Sequence, residues 1–136
     1  MARSKIPWAR LFEAATQARQ HAYAPYSSFR VGAAALTEDG QIFSGCNVEN
    51  ASYGLSVCAE RSAIFRAVCE LGKPKLLALA IVADTRTPSP PCGMCRQVMA
   101  EFAGPDLPVR SRNLRGREKR YRLGRLLPDA FSSAFL

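Results

Sequence analysis

Residues 58–61 read Cys-Ala-Glu-Arg, and residues 91–96 read Pro-Cys-Gly-Met-Cys-Arg. Thiolates are good ligands for Zn²⁺, a tetrahedral and redox-inert cation. Cys58, Cys92 and Cys95 would supply three ligands and leave a fourth position open. An open position is the mark of a catalytic zinc, whose bound water ionises near neutral pH. Glu60 lies two positions from Cys58, beside such a metal rather than on it, where a proton carrier must sit. At i and i+3 on a helix, Cys92 and Cys95 face the same side. Helix N-termini carry partial positive charge and favour thiolate over thiol. Other readings compete. A lone C-x-x-C can be a redox dithiol, which would leave the Cys-Ala-Glu stretch unexplained. A structural zinc needs a fourth ligand, and Cys46, Cys69 and His21 are the candidates. Cys46 abuts residues 47–49 and is able to approach the site. Cys69 reads as small core filler on the apolar side of a helix. His21 reads as a helix-end cation.

A second constellation is Asn47-Val48-Glu49. Extended backbone puts Asn47 and Glu49 on one face and Val48 on the other. An amide and a carboxylate together accept from and donate to a sugar diol. The carboxylate repels phosphate, so an unphosphorylated sugar suits this edge better than a phosphorylated one.

The elements that must position these residues follow from periodicity. Trp8, Leu11, Phe12, Ala15 and Ala18 predict a helix from about Pro7 to Ala22, with Ser4 as its cap and Pro7 in the first turn. Residues 29–37 and 41–46 read as strands joined by a turn at Glu38-Asp39-Gly40. Ala63, Ile64, Ala67, Val68 and Leu71 predict a helix over 57–71, stopped by Gly72 and Pro74. The continuous apolar run 76–83 fits a strand buried on both faces. A Pro-rich loop then leads to a helix over 93–102. Short strands are expected at 107–114 and 118–123 around Gly116, and a last short helix or turn at Leu126, Leu127 and Phe131. This order predicts an α/β layered domain with a mixed sheet.

The chain has 136 residues, 48% hydrophobic and 22% charged, which fits one soluble domain spanning 1–136. No apolar run approaches the ~20 residues of a membrane span. The N-terminus lacks a secretory apolar stretch, so a cytoplasmic setting with reduced cysteines is expected. The net charge of +8 is local. Residues 110–125 hold eight basic residues against one acid, Glu118, and the rest of the chain is nearly balanced. A solvated hairpin or an oligomer rim explains that stretch better than specific nucleic-acid binding, because Tyr121 is its one aromatic. A non-catalytic zinc module that binds nucleic acid through it is the rival from another class.

Cys58-Ala59-Glu60 with Pro91-Cys-Gly-Met-Cys95 resembles the signature of the zinc-dependent cytidine deaminases. The stretches 22–34, 45–53, 58–65, 92–98 and 126–131 are similar to the short, homotetrameric members of that family. The resemblance implies a three-layer α/β/α fold with a mixed five-stranded sheet, one Zn²⁺ per subunit, and hydrolytic deamination of cytidine and 2′-deoxycytidine. It implies that Cys58, Cys92 and Cys95 bind zinc and that Glu60 carries protons to N3 and to the leaving amine. Asn47 and Glu49 would hold the ribose, with Val48 between them. The Ala59 backbone would read the pyrimidine edge, and Phe29 would lie against the base. Tyr53 and Phe131 would be lent to a neighbouring subunit's site. Arg61, and by position Arg96, would donate to the ligand sulfurs. Another aminopyrimidine nucleoside or a polynucleotide is the rival substrate. Arg110 and Arg112 depart from the apolar strand residues expected there, and an edge strand would accommodate them.

Overall fold

The computed structural model of the chain describes residues 5–136, so the Ser4 cap lies outside the described residues. Helix α1 spans Trp8–Arg19 and buries Leu11, Phe12 and Ala15. Pro7 stands at its N-cap rather than inside its first turn, and the chain turns at 20–22 instead of extending the helix. Strands β1 (Val31–Thr37) and β2 (Ile42–Cys46) form an antiparallel pair. Helix α2 spans Ala59–Leu71 and ends at Gly72, whose φ of +78° is one glycine adopts without strain. Strand β3 (Leu76–Ala83) is buried along its whole length, as the unbroken apolar run predicts. Helix α3 spans Gly93–Phe102. Strands β4 (Pro108–Arg112) and β5 (Glu118–Arg122) follow, then the single turn of α4 (Leu123–Leu126).

The strand order is β2-β1-β3-β4-β5, with β3 and β4 parallel and the other neighbours antiparallel. Alternation along the strands divides the core into two. Ala34, Leu36, Ala78, Ala80 and Val82 meet Leu11, Phe12 and Ala15 of α1 on one face. Ala33, Ala35, Leu79, Ile81 and Val109 meet Ala63 and Ile64 of α2 and Cys95 and Met99 of α3 on the other. This is a three-layer α/β/α fold around a mixed five-stranded sheet. Two glycines let the helices seat closely. A Cβ on Gly32 would lie 1.8 Å from the Ala15 carbonyl oxygen, and one on Gly45 would lie 2.4 Å from the Ala63 nitrogen.

Two expectations need correction. Strand β4 is internal, and β5 is the edge beside it. Arg110 and Arg112 are accommodated not by an edge but by α1, because their guanidinium groups lie 4.1 Å and 3.9 Å from the Trp8 and Phe12 ring centres. Cys69 is exposed rather than core filler. The buried stripe of α2 runs through Ala59, Glu60, Ala63, Ile64 and Ala67, and Cys69 turns away from it.

Candidate active site

Helix α2 leads into the start of β3, and α3 follows its end. Both helix N-termini therefore converge at the C-terminal end of β3, where open α/β sheets form crevices. Cys58 is the N-cap of α2, and Cys92 is the N-cap of α3. Cys95 lies in the first turn of α3, fully buried. The Cys58 and Cys92 sulfurs are 3.6 Å apart, the Cys92 and Cys95 sulfurs 3.5 Å, and all three lie within 4.8 Å of one another. A disulfide would require about 2.05 Å. Tetrahedral sulfurs about 2.3 Å from a zinc ion stand roughly 3.8 Å from each other, close to the observed spacing. The donor set fits one zinc ion in both chemistry and geometry. Among the described residues Cys46, Cys69 and His21 form no part of this cluster.

Within the trio, Cys58 is the thiol electrostatically prepared for deprotonation. The Cys58 thiol is pulled well below its ordinary pKa by the hydrogen bond from Cys95 and by Arg61, against the opposing effect of burial. The Cys95 thiol is pushed up as donor of that same bond, with burial adding. An Arg61 Nη2 donates to the Cys58 sulfur at 3.5 Å and to the Ser56 carbonyl at 3.4 Å. Arg96 instead donates to the carbonyls of Pro91 (2.7 Å) and Leu126 (2.8 Å). It ties the loop before α3 to the C-terminal segment and, among the described residues, makes no bond to sulfur.

Glu60 follows in the first turn of α2 and is 5% exposed. Burial raises its pKa to about 7, and the negative charge of Cys58 adds to the rise. A carboxyl that titrates near neutral pH can both take and give a proton there.

These groups lie beside a cleft of about 240 Å³. Its lining brings together Cys58, Ala59, Glu60 and Cys92 from the two helix N-termini and Phe29, Asn47 and Glu49 from the loops flanking β1 and β2. Ser56, Ile81, Ser89 and Pro90 contribute as well, and nothing in their spacing had singled them out. Asn47 does more than face the cleft. Its Oδ1 accepts from the Val31 N–H at 2.8 Å, and its Nδ2 donates to the Phe29 carbonyl at 2.7 Å, which clamps the backbone from Phe29 to Val31. Glu49 Oε1 accepts from the backbone N–H groups of Tyr26 (3.0 Å) and Ser27 (3.1 Å), and Oε2 accepts from the Ser27 hydroxyl. The Ser27 hydroxyl bond leads in holding the Glu49 carboxyl below its ordinary pKa, with the two backbone donors adding to it. Ser27 Oγ in turn accepts from the Phe29 N–H at 3.0 Å, and Ser28 closes the loop at a φ of +58°. Ser27 therefore belongs to the site, and its place in the Ala-Tyr-Ala-Pro-Tyr-Ser-Ser turn was the available signal.

Val48, Tyr53 and Phe131 lie outside this cleft. Val48 points into a separate hollow with Phe65, as strand alternation requires. Tyr53 is 76% exposed and meets Tyr26 edge-on; Phe131 is 59% exposed and stacks on Phe135.

Comparison with known proteins agrees with this geometry. Residues 8–110 match the family described as the cytidine and deoxycytidylate deaminase zinc-binding region. The chain belongs to that family. It is 52% identical over 123 residues to a cytidine deaminase of Halalkalibacterium halodurans, covering 90% of this chain and 92% of that protein. It is 50% identical over 130 residues to a cytidine deaminase of Mycobacterium tuberculosis, covering 93% and 90%. Among solved structures, cytidine deaminase from Burkholderia pseudomallei superposes with a TM-score of 0.86 at 53% identity, covering 90% of this chain and 98% of that one. No helix among the described residues is long and apolar enough to cross a membrane.

Proposed function

We propose that the chain forms one zinc deaminase domain over 1–136. It hydrolyses cytidine and 2′-deoxycytidine to uridine and 2′-deoxyuridine, releasing ammonia. The reading is carried by Glu60, a buried carboxyl titrating near neutral pH beside a three-thiol cluster, in a cleft that also holds Asn47 and Glu49.

Cys58, Cys92 and Cys95 hold the metal, which when bound supplies Lewis acidity that makes water nucleophilic near neutral pH. Glu60 takes a proton from the attacking water and delivers it to N3 of the cytosine ring. It then takes the second proton from the hydroxyl added to C4 and passes it to the amino nitrogen, which leaves as ammonia while C4 becomes the uracil carbonyl. Burial matches the Glu60 pKa to both halves of that transfer. Arg61 donates to the Cys58 sulfur and offsets part of the thiolate charge. The Ala59 backbone meets the pyrimidine edge, and Phe29 lies against the base. Asn47 and Glu49 take the sugar hydroxyls, and Val48 keeps them in register from the opposite face. The Glu49 carboxylate stays ionised and repels a 5′-phosphate, which favours nucleosides over nucleotides.

The enzyme assembles as a homotetramer in the cytoplasm, where its thiols stay reduced. The exposed aromatic side chains of Tyr53, Phe65, Phe131 and Phe135 support that assembly, and Tyr53 and Phe131 complete the site of a neighbouring subunit. Cytidine, 2′-deoxycytidine and cytidine 5′-monophosphate, followed by the ultraviolet change from cytosine to uracil, test the reading. Both nucleosides should be converted, with the nucleotide at least about 100-fold poorer in kcat/KM. Equal use of the nucleotide would contradict the role given to Glu49.

A further inference from the structure

The deaminase reading leaves the arginines of residues 110–125 without a task, and the fold gathers them. Along β4 and β5 the register sets Arg110 opposite Arg120, Arg112 opposite Glu118 and Pro108 opposite Arg122. All of these side chains share the face that carries α1, where Arg110 and Arg112 lie over Trp8 and Phe12. Arg110, Arg120 and Arg122 line a hollow of about 630 Å³ with Tyr121, and Arg125 reaches it from α4. Like charges directly across a strand pair are unfavourable without a counter-ion. Glu118 is the single acid on this stretch, and Arg112 and Arg120 hold its two oxygens at 2.7 Å and 2.6 Å. Among the described residues Arg110 has Glu118, at 3.9 Å, as its nearest ion-pair partner.

We propose that this hollow is a binding site for a small ligand bearing two or three linked phosphates. Guanidinium groups grip phosphate oxygens in pairs, and these are already held in place. Arg110 is braced by the Trp8 ring, and Arg122 by a 2.8 Å bond to the Asp106 carbonyl. A hollow of this volume falls in the range of small-molecule sites. A polynucleotide would need a longer basic track and more stacking rings than Tyr121 alone. The site shares no lining residue with the catalytic cleft, whose Glu49 repels phosphate. The two pockets thus take ligands of opposite character.

Calorimetric titration of the zinc-loaded protein tests this, with inorganic tripolyphosphate, a nucleoside triphosphate and a single-stranded oligonucleotide as probes. Arg120→Gln with Arg125→Gln removes two exposed cations of the hollow. Lys73→Gln with Lys75→Gln removes the same charge elsewhere. Tripolyphosphate should bind once per chain. The arginine pair should weaken it about tenfold or more, and the lysine pair by no more than about twofold. Cytidine turnover without the probes should be the same in all three proteins. Equal affinity for tripolyphosphate and the nucleotide means the phosphates alone are read. Tighter nucleotide binding that the arginine pair also weakens adds a contact to the nucleoside part. Both results support the site. Equal weakening by the two variant pairs, unsaturable binding, or an oligonucleotide bound more than about tenfold tighter than tripolyphosphate would overturn it.

Discussion

Replacing Gly45 with alanine should damage the active site from a position that touches no substrate. Gly45 sits in β2 under α2, and an added Cβ would lie 2.4 Å from the Ala63 nitrogen and 2.8 Å from the Ser62 carbonyl carbon. These are backbone atoms of a packed helix, so no side-chain rotation can relieve the overlap. Reaching an ordinary contact of 3.4 Å requires α2 and β2 to separate by about 1 Å. Overpacking of that kind costs about 2–3 kcal/mol, which for a chain of this size lowers the melting temperature by roughly 6–10 °C. The same displacement carries Cys58 and Glu60, because both ride on the N-terminus of α2. A misplacement near 1 Å of a reacting group costs about 100-fold in rate. The assay pairs a thermal melt with zinc content and cytidine turnover. Gly54→Ala is the control, since its Cβ would meet nothing within 4 Å. A Gly45→Ala protein that melts within about 2 °C of the parent and turns over at the parental rate would refute the packing argument.

Other outcomes follow from the same contacts. Ser27→Ala removes the hydroxyl donor to Glu49 and the acceptor for the Phe29 N–H, so KM for cytidine should rise several-fold with kcat nearly unchanged. Its Glu49 carboxyl should titrate closer to the ordinary value, moving the acidic limb of kcat/KM to higher pH. Arg61→Ala should lower zinc affinity or kcat by roughly 10–100-fold, read by metal analysis and turnover; unchanged values would remove its role at Cys58. Glu118 is held below its ordinary pKa because hydrogen bonds from Arg120 and Arg112 outweigh the effect of burial. A depressed carboxylate pKa stabilises the fold above the ordinary value, and that gain is lost as pH falls through the depressed one. Glu118→Gln should therefore cost about 1 kcal/mol near neutral pH, allowing for solvent screening, and little in acid or high salt. Denaturant titration at two pH values checks it.

The parts of this molecule legible in its sequence are those governed by local periodicity. The unbroken apolar run of β3 announced a central strand and was matched residue for residue. Cys92 and Cys95 announced their shared face through helical spacing, and the motif as a whole announced the metal. What stayed hidden was set by tertiary register. Arg110 and Arg112 looked misplaced because the rings that brace them, Trp8 and Phe12, lie about a hundred residues away in sequence. Cys69 looked buried because a helical stripe read from composition has blurred margins, and Cys69, two residues past Ala67, the last buried position, turns away from it. Ser27 was visible as a turn residue, but its bond to Glu49 spans two loops that meet only in the fold. Arg96 sits in sequence beside Cys95 much as Arg61 sits near Cys58, yet its side chain turns to two carbonyls instead.

The central claim is that Glu60 carries the protons for a reaction whose metal is held by other residues. The most direct test measures zinc content and the ultraviolet conversion of cytidine to uridine for the parent and for Glu60→Gln. The account predicts one zinc per chain in both proteins and a loss of about 100-fold to 10,000-fold in kcat for the variant. Parental turnover in a zinc-loaded Glu60→Gln protein would contradict it.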